Sequence, residues 1–183
     1  RAGRRLLELL VDHATAHSLR LVPPTTLTVG ALPEQLYVSQ KPFADDLVQR
    51  CAWVTALQES PAESLEDVCH QRPGDDPRGW IELADLLRRQ HRELAGDGLN
   101  FADVAACEML DPLPRERRRW EILHEIQRRY LDTLEDLSLW DRQTARLVAI
   151  ELNECHAPCD IVLIGTVDIN HSTRQMLESE HVT

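Results

Sequence analysis

The sequence predicts a mainly α-helical chain with a minor parallel β component, in which a large helical region is inserted between two short strands. Three observations predict it. Between Phe43 and Pro158 most apolar residues recur every three or four positions, the spacing of helices with one buried face. Two runs that close on glycine, Thr25-Thr26-Leu27-Thr28-Val29-Gly30 and Ile161-Val162-Leu163-Ile164-Gly165, read instead as strands facing a loop. About 130 residues separate the two runs, and strands joined through helices pair in parallel. The corresponding division makes 1–42 and 159–183 two parts of one small core, with 43–158 as the helical insertion. At 183 residues the chain suits one domain, or one domain and part of another.

Each element has a local reason. Leu6, Leu9, Leu10, His13 and Ala14 share a face and predict a helix from about Arg4 to His17. Pro23-Pro24 stops any extension before the first strand, and Gly30 then permits a turn. Pro33 suits the start of a short helix reaching Tyr37. Phe43, Leu47, Cys51, Val54 and Leu57 predict the core face of the next helix, which Ser60-Pro61 ends. A shorter helix over Leu65 to Cys69 leads into Arg72-Pro-Gly-Asp-Asp-Pro, the clearest linker.

Asp76 can cap the following helix, with Pro77 at its first position and Trp80, Leu83, Ala84, Leu87 and Leu94 inward. Gly96 and Gly98 mark its end. Asn100 caps a helix carrying Phe101, Val104, Ala105 and Met109, and Asp111-Pro-Leu-Pro breaks it. The stripe Trp120, Leu123, Tyr130, Leu134 and Leu137 then defines the longest helix. Asp141 caps a last helix bearing Ala145, Val148, Ala149 and Leu152, and a short amphipathic tail follows the second strand.

Charge narrows the function classes. A net charge of -11 argues against a protein that coats nucleic acid, because wholesale phosphate neutralisation needs excess Lys and Arg. Lys41 is the one lysine among twenty basic residues. Cys51, Cys69, Cys107, Cys155 and Cys159 are odd in number and irregular in spacing, which points to a reducing cytoplasm. No apolar run reaches the ~18 residues of a membrane span. The N-terminus is basic but carries Glu8 and Asp12 on an amphipathic helix, unlike a signal peptide. It starts without methionine, and the chain is expected to be cut from something longer.

Candidate chemistry is sparse. No Gly-x-x-x-x-Gly-Lys-Ser/Thr phosphate loop occurs in these residues. At the end of the second run, where a Mg²⁺-organising carboxylate would stand, the residues are Ile164 and Gly165, and Asp168 follows as a loop carboxylate. Cys155, His156 and Cys159 are weak zinc candidates: their donors suit the metal, but only one half of a four-ligand site is visible. Arg115, Arg117, Arg118 and Arg119, followed by Arg128 and Arg129, form the densest basic segment. Such a cluster can contact phosphate, although the interleaved Glu116, Glu121 and Glu125 equally suit a solvated helix face. Arg88, Arg89 and Arg92 offer the same two readings. His13, His17, His70, His91, His124, His156, His171 and His181 show no nucleophile at interpretable spacing.

Several stretches together resemble inactivated superfamily I helicases. They are Thr25–Gly30 with its following helix, the region bearing Trp53, Trp80 and Phe101-Ala-Asp-Val104, the segment from Arg119 through Tyr130 to Leu134, Leu139-Trp-Asp141, and the run Ile161 to Asn170. They are similar to the helicase-like N-terminal region of the inactivated-helicase subunit found in the bacterial ATP-dependent helicase and nuclease complex. The resemblance spans most of the chain.

That resemblance implies part of a P-loop NTPase-like core, the first helicase domain, with Phe43 to Pro158 inserted into it. Active relatives end the return strand in an Asp-Glu pair, where this chain has Ile164-Gly165, and Val167-Asp168 stands where Gln-Asp is frequent. ATP hydrolysis is therefore not expected, and no cofactor is implied. The family's phosphate loop would be expected upstream of Arg1 and its nuclease domain far downstream, so neither is credited to these residues. The implied role is non-catalytic: DNA engagement or scaffolding in double-strand-break repair, with Arg115, Arg117, Arg118 and Arg119 as contact candidates and a helicase or nuclease subunit as partner. The alternative is an acidic helical protein-interaction module that binds no DNA. A zinc-dependent enzyme around Cys155, His156 and Cys159 is a third reading, and it requires stoichiometric metal.

Overall fold

The computed structural model describes residues 2–69, 71–166 and 168–179; His70, Val167 and His181 lie outside them. The described residues are mainly helical. They form α1 (Ala2–Ala16), α2 (Asp46–Gln58), α3 (Ala62–Val68), α4 (Pro77–Gly96), α5 (Phe101–Ala105), α6 (Pro114–Asp136), α7 (Arg142–Glu151) and α8 (His171–Glu178). Single 3-10 turns occur at Val29–Ala31, Pro33–Gln35 and Glu108–Leu110. The chain divides into two compact units, Arg1–Leu32 and Pro33–Thr183.

In the first unit, α1 half-buries Leu6, Leu7 and Leu10 and buries Ala14, while Leu9 on the expected face is 50% exposed. Its end is a reverse-turn cap. Ser18 has a φ of +52°, and the Leu19 N–H donates to the Ala14 carbonyl at 2.8 Å. Exposed Arg4 and Arg5 pair with Glu8 one turn on.

The second unit is built on α2, α4 and α6. Both α4 and α6 pack on α2, α3 and α5 pack on α6, and α7 packs on α4 and α8. Its core joins Trp53, Ala56 and Leu57 of α2 to Leu65, to Trp80, Ala84 and Leu87 of α4, to Phe101, and to Leu123, Ile126, Tyr130 and Leu134 of α6. The stripes read on α4 and α6 are the ones that turn inward, save Leu137, which is 56% exposed just past the helix end.

α2 differs from its expected face. Leu47 is 65% exposed and Cys51 is exposed, whereas Ala52, Trp53, Ala56 and Leu57 are buried. The helix starts only at Asp46, capped by Asp45 accepting from the Val48 amide at 2.8 Å, so Phe43 lies outside its period. Trp53 buries far more apolar surface than Leu47 or Cys51 and sets the rotation of the helix.

Caps define the other boundaries. Asp76 accepts from the Arg78 and Gly79 amides, with Pro77 at the first helical position. Asn100 and Asp103 form a reciprocal capping box at α5. Asn100→Ala leaves two amides without their acceptor, and a loss of about 1 kcal/mol is expected in urea unfolding. An unchanged midpoint would show that the α5 start is held by packing alone.

Neither glycine-terminated run is a strand. Among the described residues the β content is one isolated parallel bridge, Phe43 to Trp140. Thr25 to Thr28 is irregular chain leading into the Val29–Ala31 turn, and Ile161 to Ile164 likewise has no regular secondary structure, with Val162 78% and Ile164 56% exposed. An extended run becomes a strand only when a neighbour supplies its backbone partners, and neither run has a ladder. The Phe43 bridge has another role. Trp140 N–H donates to the Pro42 carbonyl and Ala44 N–H to the Trp140 carbonyl, both at 2.9 Å, so residues before α2 are fastened to the α6–α7 turn. The half-buried Glu34–Arg146 pair and the His156 N–H to Leu36 carbonyl bond extend that clasp. Tyr37 packs within it on Phe43; burial, followed by nearby Glu34, pushes its hydroxyl up to about 12.

No helix of the described residues is long and apolar enough to cross a membrane.

Candidate nucleic-acid interface

α6 positions the four candidate arginines. Pro114 occupies its first turn, suited by a fixed φ, but the residue before it, Leu113, provides no side-chain cap. Positive charge in the first turns opposes the helix dipole, so acids are needed nearby. They are present. Arg117 pairs with Asp111 and reaches the Cys107 carbonyl at 3.4 Å. Arg118 lies 3.9 Å from Glu121, and Arg119 lies 3.9 Å from Glu116.

Residues 111–121 thus set four arginines against three acids. Exposed pairs of this kind contribute about 0–1 kcal/mol each and yield readily to a stronger anion. Arg115 is exposed and makes no ion pair among the described residues, while the Nε of Arg119 is buried without a hydrogen-bond partner. The guanidiniums available to a phosphate are therefore Arg115 and Arg118. Farther along the helix, Arg128 pairs with Glu125 at 2.7 Å. The second arginine group is partly neutralised as well, since Arg88 bridges Asp46 at 3.0 Å and Asp85 at 3.8 Å.

The other candidates are scattered. Ile164 and Gly165 lie on an exposed bend, with Gly165 at a φ of +63°, and no strand end presents them. Asp168 is exposed. Cys155 is buried, and burial followed by Glu154 raises its thiol. His156 and Cys159 are exposed, and His156 Nδ1 donates to the Glu154 carbonyl at 3.2 Å. No group of three or more His, Cys, Asp or Glu side chains among the described residues is placed to hold a metal.

The structure assembles a polar cluster that sequence reasoning missed. His91 Nε2 lies 2.8 Å from Asp141 Oδ2, and Tyr130 Oη donates to Asp141 Oδ1 at 2.9 Å. The Thr144 amide and hydroxyl also reach Asp141, at 2.8 and 3.0 Å. On the far side, Gln127 Nε2 lies 2.8 Å from His91 Nδ1, and Gln127 Oε1 accepts from the Phe101 amide at 3.4 Å. An amide with its oxygen toward Phe101 donates through Nε2, so His91 Nδ1 accepts and Nε2–H donates to Asp141. Burial alone would raise the Asp141 carboxyl. The hydrogen bond and attraction of His91, then the Thr144 amide and Tyr130 hydroxyl, overcome it and hold the group at about 2. Burial and the facing carboxylate push Tyr130 upward.

A histidine on a carboxylate is also the geometry of a general base. Here both ring nitrogens are occupied, and His91 and Asp141 are 2% exposed, so no reactant can reach them. The open depression of about 530 Å³ beside α4 is lined by Cys69, Gln71, Arg72, Pro73, Asp76, Gly79, Glu82, Leu83 and Leu86, none of which belongs to this cluster. The cluster ties α4, α6 and the start of α7 together. Its sequence signal was present: His91 and Gln127 fall on the apolar stripes of their helices, four residues after Leu87 and Leu123.

These features define a helical, ion-paired domain with a buried polar lock. No family model, curated protein or solved structure matches this chain.

Proposed function

We propose that this chain is a non-catalytic, helicase-derived module of a larger double-strand-break repair protein, in which the exposed start of α6 helps to hold DNA. The observation that carries this reading is the pair Arg115 and Arg118, exposed within the first turns of α6, with Arg115 unengaged by any acid among the described residues. The resemblance to inactivated helicases supports the DNA-repair context. Within it, Ile164-Gly165 stands where active relatives carry an acidic pair. Free cysteines at all five positions favour the cytoplasm as its compartment. Its protein partner is a helicase or nuclease subunit.

A second reading is an acidic helical protein-interaction module that binds no DNA. It is favoured by the acidic partners of Arg117, Arg118 and Arg119. Anisotropy of a labelled duplex with a single-stranded tail, titrated across a salt series, separates the two. The DNA reading expects affinity to fall with salt, and Arg115→Glu with Arg118→Glu to lower it at least tenfold and flatten the log–log salt slope by about 2. Both changes are at exposed positions, so the fold is retained. Absence of binding at low salt, or an unchanged slope in the variant, would leave the protein-interaction module as the function.

A further inference from the structure

We propose that His13 and His17 form a two-histidine chelate for a borderline divalent transition metal of the zinc, nickel and copper class. Residues four apart share a helix face, and both imidazoles are exposed. Their ring centroids lie 4.2 Å apart with planes tilted by 32°. The backbone therefore already holds the two rings side by side, so bringing one nitrogen of each onto a shared ion needs only side-chain rotation.

The tautomer of the second ligand is also set. His17 Nδ1 lies 2.9 Å from the carbonyl oxygen of His13. A carbonyl can only accept, so Nδ1 carries the hydrogen and Nε2 keeps the lone pair that a metal needs. Histidine ligands generally donate their other N–H in this way, which orients the ring before the ion arrives. The backbone beneath is held as well: the His17 N–H donates to the His13 carbonyl at 3.1 Å, and the Leu19 N–H closes the helix end on Ala14. The second ligand thus sits at a capped terminus. Two protein donors leave the other coordination positions to water or to a donor from a bound molecule, so the site is open and its ion exchangeable.

The probe is Ni²⁺, titrated by calorimetry into the full chain prepared without a polyhistidine tag. The exposed Cys51 and Cys159 are changed to serine to remove competing thiolates. One ion per chain is expected, with His13→Ala and His17→Ala each lowering affinity at least tenfold and His171→Ala, an exposed control, leaving it unchanged. In the parent protein, paramagnetic Ni²⁺ should broaden the ring resonances of His13 and His17 before those of the other histidines. This second readout does not depend on how the variants fold. Equal affinity in the double variant, no binding at millimolar Ni²⁺, or broadening that falls first on other rings would overturn the assignment.

Discussion

Asp141→Ala is expected to destabilise the folded chain by about 3–5 kcal/mol, the range for removing one partner of a buried charged cluster. The carboxylate is the common acceptor for His91, Tyr130 and Thr144, and it also caps α7. Without it, several donors are buried unpaired, and water cannot enter to replace the acceptor without opening the α4–α6–α7 contact. Tyr130→Phe removes only one of these bonds and should cost less, about 1.5–3 kcal/mol. Urea unfolding by far-UV circular dichroism measures both. A loss below about 1 kcal/mol for Asp141→Ala would show that the cluster adds little to stability.

The same group predicts a pH dependence. Folding lowers the Asp141 carboxyl from 3.8 to about 2, so the native state binds its proton less readily than the unfolded chain does. Its stabilisation is therefore complete above about pH 4 and lost as pH falls through 2. The shift corresponds to roughly 2 kcal/mol. Other carboxyls titrate in this window too. The test is the difference between the parent protein and Asp141→Asn, which should narrow by that amount between pH 4 and pH 2; a constant difference would contradict it.

Trp53→Ala should be as severe, at about 3–5 kcal/mol. Trp53 is fully buried, stacks on Tyr130 at a centroid distance of 4.2 Å and 10° between planes, and lies 6.3 Å from Phe101. Truncation opens a cavity where α2, α4, α5 and α6 converge, and those helices are too mutually braced to collapse into it. Trp53→Phe distinguishes packing from hydrogen bonding. The indole Nε1 is buried without a partner, so a phenyl ring forfeits no hydrogen bond and leaves a smaller void. A loss of about 1–2 kcal/mol is expected for it. If the two variants lose equal stability, the cost lies elsewhere than in filled volume.

The helices were legible because their signals are local. Asp76, Asn100 and Asp141 cap the helices they were expected to cap, and Trp80, Ala84 and Leu87 turn inward with Leu123, Tyr130 and Leu134. The strand assignments failed because a run such as Ile161-Val-Leu-Ile states only a preference for extended chain. Whether it becomes a strand depends on a partner that local pattern cannot supply. The arginines of α6 were found from density alone, but the acids around them differ in placement, and only the folded chain distinguishes Arg115 from Arg117, which pairs with Asp111.

By itself, the sequence determined the mainly helical class, the caps, most inward stripes and the absence of a phosphate-loop motif within these residues, all properties of neighbours one turn apart. Tertiary structure alone decided the rotation of α2, the clasp of Phe43 on Trp140, and the burial of His91 and Gln127 against Asp141. Those depend on side chains from helices distant along the chain meeting in one place. A polar residue on an apolar stripe shows that a partner is required, and only the packed helices show which residue it is.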